Sequence, residues 1–190
     1  MAAGGRAVGR RTSIRHVQPL VVPGLLQTED YTSALLASIG REEHRIERVV
    51  EIRRVRQEIL EQPGSPELFV ILDEGVLRRS VGGPTVMKHQ LEHLLQLDSR
   101  PTVTIQVVPF SVGAYSGFRG PFAHLEFGDP ADPDVVFIDN DRTGVVFLDD
   151  PEVTGRYQEE FFTLEDLASR PGEFGQFVDR TIEGFAAISS

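Results

Sequence analysis

At 190 residues and 21.1 kDa the chain has the length of one large domain or two small ones, enough to bury roughly 70% of its unfolded surface without covalent staples. Its 40% hydrophobic and 25% charged residues exclude wholesale disorder and fibrous repeats, and the absence of Cys excludes disulfide scaffolds, thiolate catalysis and Cys-based zinc or iron–sulfur sites. A net charge of −10 opposes a phosphate backbone, no run of 18 uncharged apolar residues suits a bilayer, and the N-terminus lacks an apolar h-region, so the chain is expected in the cytoplasm with no direct nucleic-acid or membrane contact.

In chain order, residues 1–12 read as a flexible basic leader, because Arg6, Arg10 and Arg11 lie among glycines with no apolar period. Residues 13–190 read as a single domain. Val17 to Leu26 is apolar but interrupted by Pro19 and Pro23, which predicts an extended arm packed on the body. Thr28 caps a short helix carrying Tyr31, Leu35 and Ile39, with Glu29 and Asp30 in its first turn serving the cap. Residues 42–60 give the strongest helical pattern, an apolar stripe of Ile46, Val49, Val50, Ile52, Val55 and Ile59 among Glu and Arg; Arg53, Arg54 and Arg56 read as its solvated face. Leu68 to Leu72 is a continuous apolar run and predicts an interior strand covered on both faces. Gly82-Gly83-Pro84 opens a helix with Met87, Leu91, Leu94 and Leu95 on one side. Four period-two segments follow, at 103–110, 121–127, 134–139 and 144–149, and their short links predict antiparallel neighbours. Asp150-Pro151 and Pro171 open two final helices. The expected fold is α+β: a mainly antiparallel five-stranded sheet packed with about five helices.

Four segments carry a family resemblance: SIRHVQPLVVPGLLQTEDYTSALL (13–36), LDEGVLRRSVGGPTVMKHQLEHLL (72–95), VTIQVVPFSVGAYSG (103–117) and GPFAHLEFGDPADPDVVFID (120–139). Together they resemble the C-terminal domain of unknown function of actinobacterial Xre-type helix-turn-helix regulators, the antitoxin-like Scr type. The resemblance implies an effector-sensing or partner-binding domain that normally follows a DNA-binding head. Here about a dozen basic and glycine-rich residues stand where that head would be, so direct operator binding is not expected. Tyr115 stands where the family often has His, and DNDRTGVVFL (139–148) replaces a more usual TGG-type turn.

Several residues invite chemistry. His89, Glu92 and His93 spell H-x-x-E-H, yet both histidines lie about 160° from Leu91 around the helix, so the motif reads as a solvated face and no metal is expected. Asp73 and Glu74 end an interior strand with Arg78 and Arg79 close behind, a set that serves an acid–base pair, a polar ligand or a structural ion-pair cluster. Phe110, Tyr115, Phe118 and Phe122 surround a Gly-rich loop, and alternation puts Phe122, His124 and Glu126 on one sheet face. That mixture suits a ligand pocket as well as an ordinary core. No P-loop, G-x-G-x-x-G or G-x-S-x-G motif occurs, and no cofactor is expected.

The leading expectation is a regulatory domain that binds an apolar small molecule or a protein partner, as a possible homodimer, with Arg78, Phe110, Tyr115, Phe118, Phe122 and His124 as ligand contacts. The alternative is a cofactor-free cyclase or isomerase acting on an apolar natural-product intermediate, with Asp73, Glu74, Tyr115 and His124 as its acid–base groups. A third reading binds a partner protein through the long helix or the basic leader.

Overall fold

The computed structural model describes residues 12–129, 131–140 and 144–188. Their chain order is β1 (Ser13–Gln18), α1 (Glu29–Ser38), α2 (Glu43–Gln57), β2 (Glu67–Asp73), α3 (Glu74–Arg78), α4 (Gly83–Asp98), β3 (Val103–Val108), β4 (Phe122–Glu126), β5 (Val135–Asn140), β6 (Gly144–Leu148), α5 (Pro151–Leu167) and α6 (Phe174–Ile188). The predicted leader lies almost wholly outside the described residues.

The strands form one sheet in the order β3-β2-β1-β4-β5-β6. β3, β2 and β1 run parallel, and β1–β4, β4–β5 and β5–β6 are antiparallel. The α+β class therefore stands, but the mainly antiparallel five-stranded sheet is corrected to a six-stranded mixed one. The missing strand is β1. Its sequence, Ser-Ile-Arg-His-Val-Gln, holds two apolar residues separated by Arg-His and shows neither strict alternation nor the continuous apolar run expected of a strand paired on both sides. The pairing of β3 is corrected as well: it is an edge strand lying parallel to β2, while β4 crosses the sheet to join β1. Six helices replace the expected five because α3, five residues long, follows β2 without a loop.

Strand alternation builds two cores. On one face Leu68, Val70 and Leu72 of β2 and Val103, Ile105 and Val107 of β3 meet α4 and α6, where Met87, Leu91, Leu94, Phe174 and Val178 are fully buried. On the other face Val17, Ile71, Val108, Phe122 and Val136 meet Phe161 and Leu164 of α5. Asp150 caps α5 by accepting from the amides of Glu152 and Val153, with Pro151 in the first turn as predicted. Gly82 stands at the N-cap before α4 at φ +70°, and a Cβ there would meet Ala34 at 2.8 Å and Val86 at 2.9 Å, so only glycine fits.

The extended segment after β1 is tied down by polar side chains. The fully buried Gln90 of α4 donates to the Leu26 carbonyl (2.7 Å) and accepts from the Thr28 amide (2.7 Å). Gln27 donates to the Val22 carbonyl (2.6 Å) and accepts from Thr32 Oγ1 (2.9 Å) and from Arg53. These bonds satisfy backbone groups that no strand or helix pairs. The two sheet edges differ. Beside β3, Asp98 accepts from the Ile105 amide (2.8 Å), while Ser169 accepts from the Val107 amide (3.1 Å) and donates to the Val107 carbonyl (2.8 Å). Among the described residues no such cover lies along β6, where Val145 and Phe147 are exposed.

Two outcomes are expected. Gln90→Leu strands a backbone amide and a carbonyl, and should cost roughly 2–4 kcal/mol in urea denaturation with the fold retained. His16 sits in β1 with its pKa lowered to about 4 by desolvation. The unfolded chain takes up this proton near pH 6.5 and the folded chain only near 4, so the His16 contribution is complete above pH 6.5 and is lost as pH falls toward 4. His16→Val should lose less stability than the parent between about pH 7 and about pH 4.5, a difference on the order of 1–3 kcal/mol; equal slopes would refute the assignment.

Candidate functional site

The chain leaves β3 at the sheet edge and must reach β4 on the far side of β1, so residues 109–121 pass over the C-terminal ends of the parallel strands. Two short 3₁₀ turns, Phe110–Val112 and Ser116–Arg119, shape this crossing. Asp73, the last residue of β2, caps α3 by accepting from the Gly75 amide (2.7 Å) and accepts from the Tyr115 hydroxyl through its other oxygen (2.8 Å). Glu74, nearly buried, accepts from the Phe110 amide (2.9 Å) and from Arg78 Nε (2.8 Å), and Arg78 Nη2 lies 2.7 Å from the same carboxylate. The Arg78 guanidinium sits 5.7 Å from the Phe110 ring centroid, and the Tyr115 and Phe118 rings are tilted at 4.6 Å.

Six of the residues picked from the sequence thus meet at one end of the sheet: Asp73, Glu74, Arg78, Phe110, Tyr115 and Phe118. Both carboxylates are occupied in fastening the loop. Burial, and then the Asp73 carboxylate it bonds, push the Tyr115 phenol far above its ordinary pKa, so it acts as a donor and not as a base. Gly117 belongs to the same arrangement, because a Cβ on it would stand 2.4 Å from the Tyr115 ring.

His124 is not in this cluster. It pairs with Arg15, which pairs with Phe69, four residues before Asp73 and therefore about 13 Å back along the strand direction. It shares the α5-facing side with Phe122 and Glu126, as alternation predicts, and is fully buried with Nε2 3.5 Å from an Asp134 carboxylate oxygen. Beside it is a polar group that sequence reasoning missed. Arg15 Nη1 donates to Ser13 Oγ and Glu126 Oε2, both at 2.7 Å, and its guanidinium lies 5.4 Å from the ring centroids of Phe69 and Phe162. A half-buried cation held by a carboxylate and two rings is a structural anchor. On α4, His89 and Glu92 are exposed and His93 is half-buried.

Where the loop meets β4 a cleft of about 350 Å³ opens between the sheet and α5. Phe122, Ile138 and Tyr157 form its apolar floor, with Phe122 and Tyr157 edge-to-face at 4.9 Å. Arg119, Arg156 and Glu160 supply its polar rim; Arg156 is bonded to Glu152, while Arg119 makes no ion pair among the described residues. Phe122 was expected as a ligand contact. Arg119, Ile138, Arg156, Tyr157 and Glu160 were not, because only the packing of α5 over β4 and β5 assembles them.

The fastening of the loop is measurable. Tyr115→Phe keeps the ring and removes one hydrogen bond to a carboxylate, and should cost roughly 1–3 kcal/mol in urea denaturation. Gly117→Ala drives the ring away from Asp73 and should cost at least as much; a neutral effect of both would refute this role for the bond.

The sequence pattern of DUF5753, a domain of unknown function, matches residues 9–180. No curated protein and no solved structure matches the chain.

Proposed function

The chain belongs to the DUF5753 family, a domain of unknown function, and from that premise we propose that it is a ligand-sensing regulatory domain of the kind that forms the C-terminal half of actinobacterial Xre-type regulators. The ligand on this reading is a small molecule with an apolar or aromatic body and one anionic group, met in the cytoplasm. The observation that carries the reading is the cleft beside the 109–121 loop. Its volume falls within the range of small-molecule sites, its floor is aromatic and aliphatic, and Arg119 stands at its rim without a carboxylate partner among the described residues. The loop that supplies Arg119 is pinned at Tyr115 and Phe110 to two carboxylates on the end of β2 and the start of α3. Occupancy of the cleft would therefore be felt in the sheet, which is what a sensor requires.

The cyclase or isomerase reading has less support. Asp73 and Glu74 are engaged by the loop, Tyr115 is held protonated, and His124 lies far back along the sheet.

The test is saturation-transfer NMR with a panel of aromatic carboxylates, followed by titration of the best binder. Binding should weaken at least tenfold, about 1.4 kcal/mol, in Arg119→Glu, and the compound should be recovered unchanged. Chemical conversion of a panel compound would favour the enzyme, and affinities indifferent to Arg119→Glu would remove the cleft from consideration.

A further inference from the structure

We propose that the outer face of α2 is a docking seam for an acidic amphipathic helix of a partner protein. Helix α2 packs on the body through one side only. Ile46, Val50, Arg53 and Gln57 recur at 3.6-residue spacing on that side and are half-buried. Gln57 donates to the carbonyls of Gly24 (3.1 Å) and Gln27 (2.8 Å), and Arg53 donates to Thr32 Oγ1 (3.3 Å). No residue of α2 is fully buried.

The apolar stripe read from the sequence therefore splits. Ile46 and Val50 turn inward, while Ile52, Val55 and Ile59 are 41%, 53% and 42% exposed. With Arg45 and Arg48 these three, the last of them in the 3₁₀ turn Glu58–Leu60 that continues α2, follow the spacing 45, 48, 52, 55, 59, alternating steps of three and four, which is the period of a coiled-coil seam. Single exposed apolar residues are ordinary on a protein surface, but three of them at heptad spacing, with no overlying element among the described residues, are not. The seam spans about 21 Å, four turns of a facing helix.

Charge selects the occupant. At the N-terminal half of the seam a cleft of about 630 Å³ lies between α1 and α2, with Leu36, Val49 and Ile52 beneath Arg41, Arg45 and Arg48. Glu42 is near, 3.5 Å from Arg45 and 3.7 Å from His44, but Arg48 makes no ion pair among the described residues. The lining holds no carboxylate, although the whole chain carries −10. A facing helix should thus place carboxylates opposite Arg45 and Arg48 and apolar side chains opposite Ile52, Val55 and Ile59. A second copy fits poorly: parallel pairing would set Arg45 and Arg48 against themselves, and antiparallel pairing would bury them against Ile59 and Val55. A nucleic acid or an anionic membrane would gain from the arginines but not from the apolar half, and would meet the repulsion of the acidic body.

The experiment uses the full chain and a synthetic peptide of about 21 residues, with Leu at heptad a and d positions and Glu facing the arginines, against a scramble of the same composition. Fluorescence anisotropy should give a Kd on the order of 10 μM for the designed peptide and at least tenfold weaker binding for the scramble. Val55→Glu, and separately Arg45→Glu with Arg48→Glu, should each weaken binding at least tenfold with circular dichroism unchanged, since all three side chains are exposed. A peptide carrying Lys in place of those Glu residues should recover binding to the Arg45→Glu, Arg48→Glu protein. Arg119→Glu should leave peptide binding unchanged, which separates this seam from the cleft beside α5. The proposal is overturned if the designed peptide fails to bind or binds no better than its scramble. It is equally overturned if duplex DNA or anionic vesicles compete at equal affinity, or if light scattering finds a homodimer that Val55→Glu dissolves.

Discussion

Strand β1 is the constraint on which the architecture turns. Its six residues pair parallel with β2 on one side and antiparallel with β4 on the other, and so join a parallel half-sheet to an antiparallel one. Parallel strands need long crossovers, and helices α1 and α2 and then α3 and α4 occupy them. Because β4 pairs with β1 and not with β3, the chain has to travel across the strand ends to reach its place. That journey lays Tyr115 against Asp73 and Phe110 against Glu74, and brings Arg119 to the mouth of the cleft. The candidate site follows from topology before it follows from chemistry.

How much of this was legible depends on the range of the interactions involved. Local signals spoke clearly. Thr28, Asp150-Pro151 and Gly82-Gly83-Pro84 mark helix starts by capping chemistry contained within a few residues, and the buried face of α4 was evident in the spacing of Met87, Leu91 and Leu94. β1 was illegible because Arg15 and His16 look unsuited to an interior strand. Arg15 is accommodated by Glu126, 111 positions away, and by the rings of Phe69 on the neighbouring strand and Phe162 on α5. No local pattern encodes such a partner set. The strand end with Asp73 and Glu74 and the Gly-rich loop with Phe110 and Tyr115 are read from the sequence as separate features; their meeting, like the distance of His124, depends on the crossing to β4 and the β1–β4 register.

Both clefts share an electrostatic design. Each sets arginines beside apolar side chains in a strongly acidic chain, with Glu160 among them in the cleft against α5. They lie against different helices, α5 in one case and α2 in the other, and α2 touches neither core deeply. One surface can therefore be filled while the other is open. Linkage between them would have to pass through the sheet and through the separate bonds by which Gln27 and Gln90 hold the segment between β1 and α1.

The unequal treatment of the two sheet edges bears on how the protein behaves in bulk. β3 has its outward backbone groups closed by Asp98 and Ser169, but β6 presents Val145 and Phe147 on a strand that nothing among the described residues covers. An open edge of that kind is a template for strand addition. At neutral pH the −10 charge keeps copies apart, and that protection fades as the medium approaches the isoelectric point near 5.0. Colloidal stability in this molecule is thus expected to follow its ionisation state, with the open β6 edge as the element that lost charge would leave unguarded.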